Sequence, residues 1–212
     1  PRRFGKSLTV STLKAVFEGR KELFKGLAIE GKPYDWKSYP VIHLDWNGWA
    51  VDTVENLLQS MTDMVCSVAR QYGLQLTGKN PQMQFRELIE QLSRKEKVVL
   101  LIDEYDKPIL NNISKPWCKE ILETLKGFYS VVKACENLER FVFITGVSKF
   151  CHVSLFSDLN NLTDITMDAR YAVMLGYTQE ELEVNFGDRI SALAGGEDID
   201  AYKEKIKEWY NG

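Results

Sequence analysis

The stretch that most limits what this chain can fold into is Lys97 to Asp106, which reads K-V-V-L-L-I-D-E-Y-D. Five successive apolar side chains, Val98 to Ile102, show no polar alternation, the pattern of a strand covered on both faces in a parallel sheet. The run stops abruptly in acid. In an open α/β sheet, ligands lie outside the carboxyl ends of the strands, which puts Asp103 and Glu104 where a ligand would be held. Taken alone, such a tip also fits a core strand running into a solvated acidic turn. Gly5-Lys6-Ser7, near the start of the chain, tips the balance toward a site.

The rest of the chain alternates between helical periodicity and apolar strands. Leu13, Val16 and Phe17 share a helix face that stops at Gly19; Leu23 to Ser38 reads as connection with one short helix. Tyr39 to Leu44 is a short predicted strand ending at Asp45. Between Val51 and Tyr72, apolar residues recur at three and four, predicting a long helix closed by Gly73. Asn80 with Pro81 is a helix start, leading to the apolar face Phe85, Leu88, Ile89 and Leu92.

Past the acidic tip, a helix is predicted from about Trp117 to Cys135, and Phe141 to Ile144 repeats the buried-strand pattern before Thr145-Gly146. Alternation of this kind predicts a parallel sheet with helices on both faces. Beyond Phe150 the character changes. A short strand is predicted at Leu162 to Met167, a Thr178/Glu181 capping box opens a helix through Phe186, and Ala194-Gly195-Gly196 breaks the chain before a helix from Asp200 to Tyr210. The expected organisation is an α/β core over residues 1–150 and, over 151–212, the end of the core with a C-terminal helical appendage.

Composition excludes several classes. With 44% hydrophobic and 27% charged residues the chain is neither disordered nor membrane-embedded, and no apolar run approaches the ~20 residues that span a bilayer. A formal net charge of -3 gives no global attraction for nucleic acid. Cys66, Cys118, Cys135 and Cys151 form no C-x-x-C pair and stand apart from any His at ligand spacing, so neither zinc nor a disulfide framework is indicated and a cytoplasmic location is expected. The chain opens at Pro-Arg-Arg-Phe-Gly without an initiator Met or a signal-peptide core, which predicts a segment of a longer protein.

Gly5-Lys6-Ser7 matches the second half of the phosphate-binding pattern G-x-x-x-x-G-K-[ST], with the first Gly falling just before Pro1. In that role Arg3, Phe4, Gly5, Lys6, Ser7 and Leu8 would line the phosphates. The loop amides and the helix N-terminus present positive partial charge, Lys6 adds a point charge at the β/γ-phosphates, and the Ser7 hydroxyl ligates Mg²⁺. Asp103 suits the acid that is the ion's second anchor, direct or through water, and Glu104 beside it suits the carboxylate that polarises an attacking water. Thr145 is a candidate sensor of the terminal phosphate or else simply ends its strand. Asp106 is placed as an extra metal acid, as a partner of Lys107 or as a turn cap. Lys149 could touch phosphate; His43 and His152 read as packing residues, and nothing marks Arg170 over Arg140 as an arginine finger.

Arg2-Arg3-Phe4-Gly5-Lys6-Ser7, Val41 to Asp45, Leu101 to Pro108 and Thr145 to Phe150, with the Ser157 to Thr166 run, together resemble the bacterial AAA-ATPase-like domain family over nearly the whole chain. The resemblance implies a P-loop NTPase-type fold related to AAA+ and STAND ATPases, usually followed by a PD-(D/E)-x-K nuclease-like domain. It also implies that the strand preceding the phosphate loop lies outside this chain. The expected function is Mg-ATP binding with slow ATP hydrolysis, used as a switch for an attached or partner domain, with a homo-oligomer left open. Two other readings remain: a P-loop phosphotransferase acting on a small molecule, and a non-catalytic nucleotide-dependent interaction module. No N-K-x-D element follows the strands, which disfavours GTP.

Overall fold

A computed structural model of the chain describes residues 4–148, 155 and 161–211. Its centre is a three-stranded parallel sheet in the order β1-β2-β3: β1 is Val41–Asp45, β2 is Val98–Asp103 and β3 is Glu139–Ile144. The acid-tipped strand is the middle one, and all six of its residues are buried. Register runs Val41 opposite Val99 to Asp45 opposite Asp103 on one side. On the other it runs Val99 opposite Phe141 to Ile102 opposite Ile144, after an irregularity at Val98/Val99.

Both faces of the sheet are covered, which is why β2 shows no alternation. One face carries Val41, Val99 and Leu101, packed on Val10 and Phe17 of α1, Lys6–Phe17. The opposite face carries Ile42, Leu44, Val98, Leu100 and Ile102, packed against three helices: α2 (Val54–Gln71), α3 (Pro81–Leu92) and α5 (Cys118–Ala134). A one-turn α4, Lys107–Leu110, follows the tip of β2. Helices on both faces of a parallel sheet are what the sequence predicts.

Local chemistry sets the helix ends. The Thr53 hydroxyl accepts from the Asn56 amide, so α2 starts there although its apolar periodicity reaches back to Val51. The Asn80 side chain accepts from the Met83 amide, with Pro81 at the first helical position, as expected. Two segments differ from expectation. Between Leu23 and Ser38 the chain makes 3-10 turns, Lys21–Phe24 and Ala28–Gly31, which set Phe24, Ile29 and Trp36 against Ala15 and Val16 of α1. Residues 162–167 form no strand: Thr163-Asp164 interrupts the apolar residues, and Leu162 alone of them packs on the core.

The chain divides into two compact units at Asp164/Ile165. The second, Ile165–Gly212, contains α6 (Gln179–Ala194) and α7 (Ile199–Asn211). The Thr178/Glu181 capping box opens α6, which runs past Phe186 because Ile190 and Ala194 continue a buried face, and it stops at Gly195 in a left-handed conformation. Lys203 of α7 pairs with Glu183 of α6 at 3.0 Å.

Candidate functional site

All three strands run the same way, so their carboxyl ends Asp45, Asp103 and Ile144 share one edge of the sheet. The amino end of α1 borders a cleft of about 500 Å³ whose lining includes Gly5, Lys6, Ser7 and Leu8 together with Glu104, Asp106, Lys107, Leu110, Asn111 and Val147. The stretch at the start of the chain and the acidic tip of the middle strand therefore meet across one cavity.

The α1 end of this cleft suits an anion. Gly5 precedes the helix at φ 90°, a left-handed conformation that a side chain rarely tolerates. No side chain caps α1, and its first turn holds no acidic residue. The first amides of an α-helix have no partner within the helix, so an uncapped end presents N–H groups and the positive end of the helix dipole to the cavity. Lys6 and Ser7 are the first residues of that turn.

Across the cleft, Glu104 lies at φ 53°, one of two non-glycine residues with positive φ among the described residues. Such conformations cost of order 1–3 kcal/mol and collect at functional sites. Neighbouring bonds hold this one in place. The Glu104 amide donates to Asp103 Oδ1 at 3.0 Å, and its carbonyl accepts from the Lys107 amide at 2.9 Å. The Glu104 carboxylate pairs with Lys107 Nζ at 3.1 Å. Lys107 Nζ donates in turn to Asn47 Oδ1 at 2.5 Å, and Asn47 is fixed by Asp45, whose Oδ1 accepts from both its amide and its Nδ2. A row of polar contacts thus joins the tips of β1 and β2.

Asp103 lies behind Glu104, 1% exposed and outside the cleft wall. Its Oδ1 accepts from the Thr145 hydroxyl and from the Glu104 amide. Thr145 is buried beside it because β3 pairs with β2 on the side away from β1. The Thr145 main chain is bound too: its amide donates to Ile102 and its carbonyl accepts from Tyr105. Asp106 is also 1% exposed, and its Oδ2 accepts from the Val147 and Ser148 amides at 2.8 and 2.5 Å.

A buried frame supports this edge. Tyr129 Oη accepts from Trp46 Nε1 at 2.8 Å and donates to the Tyr105 carbonyl at 3.2 Å, while Tyr105 Oη donates to the Ser148 carbonyl at 2.7 Å. Burial pushes the Tyr129 phenol far up, so it stays protonated and able to donate. Gly146 is required by packing: a Cβ there would stand 2.3 Å from Tyr105 Cε1. On the α1 face of the sheet, burial and then Lys14 pull the His43 imidazole down, and among the described residues its Nε2 has no hydrogen-bond partner.

Of the residues singled out in the sequence, the cleft gathers Gly5, Lys6, Ser7, Leu8 and Glu104, with Asp103 and Thr145 directly behind Glu104. Phe4 is half-buried and outside the cleft wall. Arg2, Arg3, Lys149, Cys151 and His152 lie outside the described residues. Arg170, in the second unit, is bound to Asp168 at 2.6 Å, and Arg140 lies over the Tyr39 ring. Sequence reasoning missed Asn47, Leu110, Asn111 and Val147 as parts of the site, and it gave Lys107 only as a partner of Asp106. The one signal available was the spacing of Lys107, three residues after Glu104.

Parallel strands covered on both faces, with the cleft at their carboxyl edge and an uncapped helix end facing a strand-tip acid, define an α/β domain of the P-loop type. The family model described as "Predicted AAA-ATPase" matches residues 1–156, and the chain belongs to that family. It is also 38% identical over 216 residues to an uncharacterized protein in the vnfD 5' region of Azotobacter chroococcum mcd 1. That alignment takes in 100% of this chain and 40% of the relative, so the chain spans less than half of the relative's length. No solved structure matches it.

Proposed function

We propose that this domain binds Mg-ATP and hydrolyses it slowly, and that the cycle acts as a switch for an attached domain. The observation that carries the reading is the cleft itself, which the uncapped α1 end with Lys6 and Ser7 lines together with Glu104. The amides of the first turn and the Lys6 ammonium receive the phosphates. Ser7 at the cleft wall, and Asp103 behind it directly or through water, are the groups that would hold magnesium, which would neutralise charge developing on the phosphates. Glu104, fixed at the cleft wall, orients and deprotonates the attacking water. Thr145 holds the Asp103 carboxylate in place and is the candidate sensor.

The test uses the full-length protein. Calorimetry with ATP and Mg²⁺ is expected to show binding that Lys6→Ala weakens. Glu104→Gln is expected to leave binding intact and to lower phosphate release by at least ~10²-fold, the low end for loss of a general base. Undiminished release by Glu104→Gln removes the assigned base. Absence of binding by the wild type removes the nucleotide reading altogether.

A further inference from the structure

We propose that Asp106 is a positioning residue: its carboxylate sets the loop after β3 against the acidic tip of β2, and turnover in the cleft depends on that setting. The inference rests on the nucleotide reading above and adds a residue to it. A carboxylate buried to this degree needs partners, and Asp106 finds them in two main-chain amides of another segment, Val147 and Ser148. It stands just before α4, where an Asp commonly caps the helix with its side chain. Here the carbonyl of Asp106 receives the Ile109 and Leu110 amides, and the carboxylate is turned to the loop instead.

Asp103 holds the other end of the same four-residue loop through the Thr145 hydroxyl. Between the two anchors Gly146 admits the Tyr105 ring and the second oxygen of Asp106, which would lie 2.8 Å from a Cβ at that position. The contacts form one chain: Asp106 fixes Val147 and Ser148, the loop fixes Thr145, Thr145 orients Asp103, and Asp103 Oδ1 holds the amide of Glu104. Loss of the Asp106 carboxylate therefore loosens a cleft-wall residue, Val147, and removes support from the base at the end of this chain of contacts. Asp106 acts through the loop, not on the phosphates.

The experiment compares wild type, Asp106→Ala and Asp106→Asn in the full-length protein, by amide hydrogen exchange over residues 145–148 and by turnover at varied ATP and Mg²⁺. Hydrogen bonds to a charged group are worth enough that Asp106→Ala is expected to speed exchange of the Val147 and Ser148 amides by ~10-fold or more. It is expected to lower kcat by a similar factor, with KM for ATP and the Mg²⁺ requirement unchanged. Asn keeps an oxygen that accepts both amides, so Asp106→Asn is expected to restore most of both. Unchanged exchange or unchanged kcat in Asp106→Ala overturns the proposal. So does an Asp106→Asn protein that is as slow as Asp106→Ala and needs more Mg²⁺, because Asp106 would then be a metal ligand. If the wild type binds no nucleotide, the functional reading fails and with it the claim on turnover, while the exchange data alone still judge whether Asp106 sets the loop.

Discussion

Substituting Gly146 by Ala tests how tightly the tip of β2 and the loop after β3 are fitted together. The added Cβ would stand 2.3 and 2.6 Å from Tyr105 Cε1 and Cδ1, and 2.8 Å from Asp106 Oδ1. Carbon atoms attract best near 3.5–4.0 Å, so the ring must withdraw by about 1 Å. It has little room: Tyr105 is 4% exposed, its hydroxyl is bound to Ser148, and its carbonyl is bound to Tyr129. Overpacking of this kind costs about 1–3 kcal/mol. Urea unfolding should show that loss, and thermal unfolding a fall of about 2–4 °C for each kcal/mol in a domain of this size. The cost should shrink when Tyr105→Ala supplies space, since groups in contact couple by ~0.5–3 kcal/mol. A Gly146→Ala protein within about 0.5 kcal/mol of wild type, or one whose loss is the same in the Tyr105→Ala background, refutes the reasoning.

Tyr129→Phe takes one hydroxyl from two buried groups, the Trp46 indole N–H and the Tyr105 carbonyl, and is expected to cost about 2 kcal/mol in urea unfolding; a loss under about 0.5 kcal/mol would count against the frame. Glu139, half-buried at the start of β3, is pushed up to about 7, first by burial and then by Glu136, and its Oε1 has no partner among the described residues. A carboxyl whose folded value is raised adds stability below its ordinary value and loses it as pH rises to the folded value, so this group's contribution falls between about pH 4.5 and about pH 7. Glu139→Gln should therefore gain on wild type as pH rises from 4 to 8, measured as urea midpoints, and a gap that does not change with pH would refute the assignment.

The cleft sits where the core is most constrained, which links the two parts of the structure. Every residue of β2 is buried, so its end is held by the sheet on both sides and by helices on both faces. A left-handed backbone at Glu104 persists only where its surroundings over-determine it, and here the Asp103 carboxylate and the Lys107 amide do so. Thr145 and Asp106 then carry the position of β3's loop to the same tip. The strands fix the position of the two short loops that border the cleft.

What could be read from the sequence was set by neighbours along the chain. The unbroken apolar run in β2, the Asn80-Pro81 start of α3 and the Thr178/Glu181 capping box each depend on residues a few positions apart, so each was legible. Tertiary structure decided what depends on distant partners. It brought Gly5 to Ser7 into one cleft with Glu104, turned the Asp106 carboxylate to Val147 and Ser148 when metal, lysine and turn cap were all open to it, and set Lys107 between Glu104 and Asn47. It also kept residues 162–167 out of the sheet. The physical reason is that periodicity and capping are written into local backbone geometry, whereas an acid at a strand end can be satisfied in several ways. Which partner it takes follows from strand order and register, and those are properties of the packed core as a whole.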